Sequence, residues 1–147
     1  MEHSVCFVPG MFALNYMNGI PEDHLPLSKR LFETCFRLYA QRNKTNILRP
    51  ETVDSLIVLY RVTKDEKYRE YGRETMMEMK TNYRLERGEY ASIGNVTKRP
   101  FCIGFRDGRE RFFLAETLKY LFLLFSIDSM LALDDVVVNT RGHLFPM

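Results

Sequence analysis

The sequence lacks the features of several protein classes: nucleic-acid-binding, membrane-spanning, repeat and disordered proteins. Its 21 basic and 19 acidic residues leave a net charge of +2, so no nucleic-acid footprint is predicted. No apolar stretch reaches the length of a membrane span, because the longest, residues 112–125, is interrupted by Glu116 and Lys119. There is no low-complexity tract or internal repeat, and 46% hydrophobic residues exclude compositional disorder. One domain with a buried core is therefore predicted.

The chain also has no recognisable leader and little cysteine. Its start, MEHSVCFVPG, has no basic residue followed by a long apolar run, which taken alone predicts a cytosolic protein. Two N-glycosylation sequons, 43–45 and 95–97, point the other way, although such sequons are common by chance. The three cysteines allow one disulfide and a free thiol, or three thiols. Composition alone favours thiols in a reducing compartment.

Several catalytic signatures are missing as well. The sequence has no His/Cys cluster with zinc spacing, no glycine-rich phosphate loop and no nucleophile elbow. Tryptophan is absent, but phenylalanine and tyrosine make up 13% of the chain. Such a content suits both core packing and stacking against sugars.

What is present is mainly helical periodicity. Apolar spacing predicts a helix from Leu27 to about residues 41–43, with Ser28 as a cap near its start. A second helix begins at Pro50, and a third runs over about residues 67–85. The helix 109–125 is apolar on most faces and is expected to be central.

Turns and short strands are predicted between the helices. Residues 3–20 read as an apolar segment broken at Pro9-Gly10, and residues 87–90 as a turn leading into a short strand. Residues 94–108 read as a loop, and residues 136–138 as another short strand. Paired helices with small hairpins fit part of an α/α barrel or an ordinary helical bundle, and periodicity does not choose between them.

Two glutamates in apolar helical settings are the candidate chemical groups. Glycoside hydrolysis needs a pair of carboxylates, and burial of Glu51 and Glu116 would raise a pKa for such work. Structurally, Glu51 also suits the first turn of a helix, and Arg49 would pair with it or bind a hydroxyl. Glu116 would equally be paired with Lys119 or with a nearby arginine, Arg109 or Arg111. Asn139-Thr140 offers hard oxygen ligands to a cation.

Five segments occur in an order that resembles one enzyme family. They resemble the carboxy-terminal part of the class I α-1,2-mannosidases, glycoside hydrolase family 47, over nearly the whole chain. RPET followed by FFLAETLKYLFLLF is the most specific part of the likeness. The segments are HSVCFVPGMFAL, LRPETVDSLIVLYRVTKDEKYREYG, YASIGNV, RDGRERFFLAETLKYLFLLF and VVVNTRGH.

The resemblance implies a fold and an activity. Residues 1–147 would form a single fragment, about the last third of the catalytic domain, folded as an all-α partial (α/α)7 barrel with short β-hairpins. The family removes terminal α-1,2-linked mannose from N-glycans with inversion and depends on Ca²⁺. High-mannose N-glycans or glycoproteins would be the partners, in the endoplasmic reticulum or Golgi lumen. Any membrane attachment would come from a segment that is not in this sequence.

The resemblance also implies roles for individual residues. Glu51 would be the general base that activates water, beside Arg49, which contacts the sugar. Phe112 would pack on the terminal mannose, and Glu116 would hold calcium-bound water and substrate hydroxyls. The remaining matches are His3 lining the pocket, Thr140 ligating calcium, and Cys6 with Cys35 forming the family's disulfide.

The sequence departs from the family in ways that matter for catalysis. The family's general acid and another essential aspartate lie upstream of the matching region, so we expect this chain alone to be weakly active or inactive. Whether it is an enzyme on its own is therefore left open. The alternatives are an inactive glycan-binding or quality-control protein, or a truncated gene product. Arg141 replaces an acidic residue beside Thr140 and would weaken calcium binding by repulsion.

Overall fold

The fold is described from a computed structural model that covers residues 3–20, 23–41, 48–91, 111–139 and 142–146. Helices dominate these residues, which agrees with the expected all-α class. In chain order they are a 3₁₀ helix His3–Phe7, α1 Val8–Met17, α2 His24–Gln41, α3 Glu51–Thr63, α4 Lys67–Asn82, a π-helix Phe113–Leu118, α5 Lys119–Phe125 and a 3₁₀ turn Asp128–Met130. Two short strands follow, β1 Val136–Val138 and β2 Leu144–Pro146.

Helix α3 is the centre of the fold. Every residue from Ser55 to Arg61 is buried, so the helix is enclosed on all sides by its neighbours α1, α4 and α5. The prediction that the 109–125 helix is central was wrong in this respect. That helix buries one face, but its Leu114 and Phe122 are 67% and 62% exposed.

The predicted break at Pro9-Gly10 is also wrong, because α1 runs through it. Proline fits the first turn of a helix, where its missing N–H would have no intrahelical partner, and Pro9 occupies that turn. Gly10 serves close packing: a Cβ there would lie 3.1 Å from Ser55 Cα. The backbones of α1 and α3 are therefore in close contact at Gly10 and Ser55.

Ser28 is not the cap that was predicted. It lies inside α2, where it is fully buried and donates a hydrogen bond to the Pro9 carbonyl at 2.5 Å. Periodicity located the helix but started it three residues late, at Leu27 instead of His24, and Ser28 joins α2 to α1 instead of capping α2.

The strand predictions were partly right. Val136–Val138 is confirmed as β1, and it pairs antiparallel with β2, a strand that the sequence did not predict. Up to residue 91, where the described segment ends, the strand expected near residue 90 is an isolated bridge between Arg84 and Tyr90. The predicted loop 94–108 lies outside the described residues. No helix in the described ranges is both long and apolar enough to cross a bilayer.

Candidate functional site

The segment Leu48–Pro50 delivers Glu51 to the first turn of α3. Pro50 sits at the N-cap position, and its carbonyl accepts the backbone N–H of Asp54 at 2.8 Å. Thr117, on the π-helix, donates its buried hydroxyl to the Leu48 carbonyl at 2.6 Å. This bond ties the start of α3 to the helix that carries Glu116.

The two carboxylate oxygens of Glu51 have different surroundings. Oε1 lies 3.7 Å from Arg49 Nη1, and the Glu51 side chain is 22% exposed. Oε2 is buried and has no hydrogen-bond partner within the described part of the chain. A buried acceptor without a partner is costly unless a water or ligand completes it. Glu51 thus has one anchored oxygen and one that is available to a bound water.

Arg49 and Phe112 form a platform beside Glu51. The Arg49 guanidinium carbon lies 5.9 Å from the centroid of the Phe112 ring, within cation–π range. The Arg49 side chain is 45% exposed, so a ligand in solvent can reach it. An aromatic face next to a donor-rich group matches the apolar face and hydroxyl rim of a sugar.

Glu116 lies on the π-helix, where it is buried. A π-helix inserts an extra residue per turn, and such segments occur frequently at functional sites. Lys119, one of its predicted ion-pair partners, instead donates to the Gly142 carbonyl. Arg109, another predicted partner, lies outside the described residues.

The sequence interpretation missed a third carboxylate, Asp54. Its pKa is raised to about 7, first by burial and then by the negative charges of Glu116 and Glu51. Burial, Asp54 and Glu116 in turn raise the pKa of Tyr120. Asp54 was within reach of sequence reasoning, because three residues after Glu51 places it on the same side of α3.

These carboxylates leave concentrated negative charge that fits a hard divalent cation held partly through water. Within the described residues, however, no three His, Cys, Asp or Glu side chains converge closely enough to ligate a metal directly. Direct ligands would therefore have to include hydroxyl or carbonyl oxygens. Thr140 and the side chain of His3, both predicted for the site, fall outside the described part of the structure.

Cys6 and Cys35, the pair implied by the resemblance, form a disulfide with Cα atoms 5.8 Å apart. The Cys6 carbonyl accepts a hydrogen bond from Ser55 Oγ at 2.6 Å, and Ser55 Oγ accepts the Gly10 N–H at 2.9 Å. The disulfide therefore fastens α2 to the segment that packs on α3. Cys102 lies outside the described residues.

Comparison with known proteins places these features in context. Residues 40–147 match the sequence pattern of Glycosyl hydrolase family 47. Endoplasmic reticulum mannosyl-oligosaccharide 1,2-alpha-mannosidases are similar over the whole chain: the rat protein is 40% identical and the human protein 42%. The chain spans only 26% and 25% of those relatives, about a quarter of their length.

A solved structure has the same fold. The alpha-1,2-mannosidase from Trichoderma reesei superposes with a TM-score of 0.82 at 24% identity, over 99% of this chain and 39% of that one. At that identity the likeness supports the fold alone. It confirms the expected partial (α/α)7 barrel over the ordinary bundle.

Proposed function

We propose, from the premise that this chain belongs to glycosyl hydrolase family 47, that it carries the water-activating side of an α-1,2-mannosidase site. Its substrates would be the terminal α-1,2-linked mannoses of high-mannose N-glycans. The observation that supports this most is the Glu51 carboxylate, with Oε1 near Arg49 and a buried Oε2 that lacks a partner. Such an oxygen is suited to accept a proton from a bound water.

The proposed reaction is an inverting hydrolysis. Glu51 takes a proton from water, the oxygen of that water attacks the anomeric carbon, and the bond to the leaving sugar breaks. The leaving oxygen needs a proton from a general acid, and no residue that we assign here supplies it. Arg49 and Phe112 would orient the terminal mannose, and the His3 side chain is proposed as part of the pocket lining.

Ca²⁺ is the proposed cofactor, and it would polarise bound water and fix substrate hydroxyls. Thr140 is the proposed direct ligand, and Glu116 would hold calcium-bound water and substrate hydroxyls. The chain's own contribution is to keep Glu51, Asp54 and Glu116 close enough that the charges of Glu116 and Glu51 raise the pKa of Asp54, after burial.

The compartment we propose is the lumen of the endoplasmic reticulum or Golgi. The most similar relatives reported above are named as endoplasmic reticulum proteins. The disulfide supports an oxidising compartment, because disulfides are rare where glutathione keeps thiols reduced. This reverses the compartment expected from composition.

A second candidate function is glycan binding without turnover. It is favoured by the platform of exposed Arg49 and partly buried Phe112, which would bind a sugar without needing a proton donor. Both functions predict mannose recognition, but only the first predicts bond cleavage.

The test combines binding with turnover on the purified chain. Calorimetry with an α-1,2-linked mannobiose and Ca²⁺ should show binding, and Phe112→Ala should weaken it at least tenfold. Phe122→Ala is the matched control, because it removes an exposed phenylalanine from the same helical segment ten residues away. Absence of binding by the unaltered chain would contradict both functions.

Release of free mannose then separates the two functions. Slow release that Glu51→Gln abolishes, with binding retained, supports the hydrolase. Binding without any release by the unaltered chain supports the glycan-binding function and contradicts hydrolysis by this chain alone.

A further inference from the structure

The turn that joins β1 to β2 is closed by its own backbone. The Asn139 N–H donates to the His143 carbonyl at 3.0 Å, and the Gly142 N–H donates to the Asn139 carbonyl at 2.9 Å. The Asn139 side chain adds a third bond, because its Oδ1 accepts the His143 N–H at 3.0 Å. Both ends of the turn are therefore fixed relative to each other.

Gly142 brings this turn into direct contact with the π-helix. Its φ of +70° is a conformation that residues with a Cβ rarely adopt. A Cβ at this position would lie 2.6 Å from the Ala115 carbonyl oxygen and 3.4 Å from Glu116 Cγ. The contact thus requires glycine, and it places the turn against the residue pair that includes the buried Glu116.

Lys119 holds the same glycine from a second direction. It is the first residue of α5, directly after the π-helix, and its ammonium donates to the Gly142 carbonyl. A charged donor makes a stronger bond than a neutral one, and here it joins positions 23 residues apart. The turn is therefore attached to the helix that carries Glu116 by both a steric and an electrostatic contact.

We propose that Lys119 and Gly142 form a latch that sets the position of Gly142 and His143, just before β2, relative to Glu116. Lys119 is then a positioning residue that acts through Gly142. Its functional part rests on the proposed function, in which Thr140, two residues before Gly142 in the sequence, is a calcium ligand. The structural part, that Lys119 immobilises Gly142 and His143, stands on the contacts alone.

Amide hydrogen exchange of the full chain, in EDTA, tests the structural part. Lys119→Met keeps the aliphatic stem but removes the donor, so exchange of the Gly142 and His143 amides should quicken at least tenfold. Lys119→Arg keeps a charged donor and should retain most of the protection. Lys64→Met is the control, because Lys64 is an exposed lysine that pairs with Asp128 instead.

The α3 amides report whether the fold itself has changed. Their exchange should be the same in all variants. Unchanged exchange of Gly142 and His143 in Lys119→Met would overturn the latch, as would equal quickening in Lys64→Met.

Calcium titration by calorimetry tests the functional part. Lys119→Met should weaken calcium binding at least tenfold, and Lys119→Arg less. A loosened turn with unchanged calcium affinity would overturn the positioning role. If the unaltered chain takes up no calcium, the metal part of the proposed function fails and the latch cannot serve it, while exchange still decides whether the latch exists.

Discussion

The two ends of helix α3 handle charge in opposite ways. At its N-terminal end Asp54 lies near Glu51 and Glu116, and burial with these like charges raises the pKa of Asp54 to about 7. Past its C-terminal end Asp128 contacts Lys64 and Arg61, and these cations lower its pKa, Lys64 contributing most. Both arrangements agree with the helix dipole, which favours anions at the N-terminus and cations at the C-terminus.

The difference shows which end is arranged for stability. Around Arg61 the charges compensate one another: its guanidinium donates to Asp128 and to the carbonyls of Leu123 and Ile127 at 2.9 and 3.4 Å. Around Glu51 the structure concentrates negative charge and leaves Oε2 without a partner. Burial of an acceptor without a partner costs stability, as does the proximity of like charges, and perturbed pKa values cluster at functional sites.

Replacement of the cation at the C-terminal end should have the largest effect. The Arg61 side chain is 4% exposed, so Arg61→Met leaves buried carbonyls unsatisfied and Asp128 without one of its cations. We expect a loss of about 3 kcal/mol in the free energy of unfolding, measured by urea titration at pH 7. Arg73→Met, which breaks an exposed helical ion pair with Glu70, should cost less than about 0.5 kcal/mol. Equal losses would break the contrast between a compensated buried charge and a surface pair.

Removal of a charge at the N-terminal end should instead change the pH dependence of stability. Asp54 keeps its proton in the folded state up to about pH 7, whereas the unfolded chain ionises near 3.8. Its contribution is fully present below the unfolded pKa and is lost as pH rises through the folded value. Between pH 5 and 8, in EDTA, the native sequence should lose on the order of 2 kcal/mol more than Asp54→Asn.

Asp128→Asn is the control for this measurement. The pKa of Asp128 is lowered, so its contribution is present above the unfolded pKa and is lost only as pH falls through the folded one. It should therefore leave the change from pH 5 to 8 as it is in the native sequence. The same slope in Asp54→Asn and the native sequence would contradict the raised pKa of Asp54.

An effect smaller than those at Arg61 and Asp54 is expected at Lys64. It pairs with Asp128 across an exposed surface, where both side chains are more than half exposed, at 56% and 51%. Lys64→Met should change the free energy of unfolding by less than about 1 kcal/mol, because such pairs are solvent-screened. Urea titration at low and high salt measures it. A loss comparable to that of Arg61→Met would show that burial is not what separates the two cations.

The sequence predicted the parts of the site that depend on local structure. Pro50 placed the start of α3, so Glu51 was correctly assigned to its first turn, with Arg49 beside it. The sequence did not identify Asp54 as part of the candidate site, because a carboxylate in a first helical turn is usually explained by the helix dipole. The raised pKa of Asp54 depends first on burial and then on Glu116, which lies 62 residues away and approaches only when the π-helix packs on α3.

The C-terminal residues show the same difference between features that local sequence predicts and features that depend on tertiary contacts. VVV predicted β1 because β-branched residues favour extended backbone, but neither β2 nor the left-handed Gly142 followed from local pattern. Lys119 was interpreted as a partner for Glu116, three residues earlier, yet its ammonium reaches Gly142.

By itself the sequence determined the helical class, the start of α3 and the family motifs, since these depend on neighbours along the chain. Only the tertiary structure decided which carboxylates lie near one another and which glycine contacts the π-helix. The reason is physical: burial and Coulomb interactions depend on distances in space, which sequence spacing does not give beyond a helical turn.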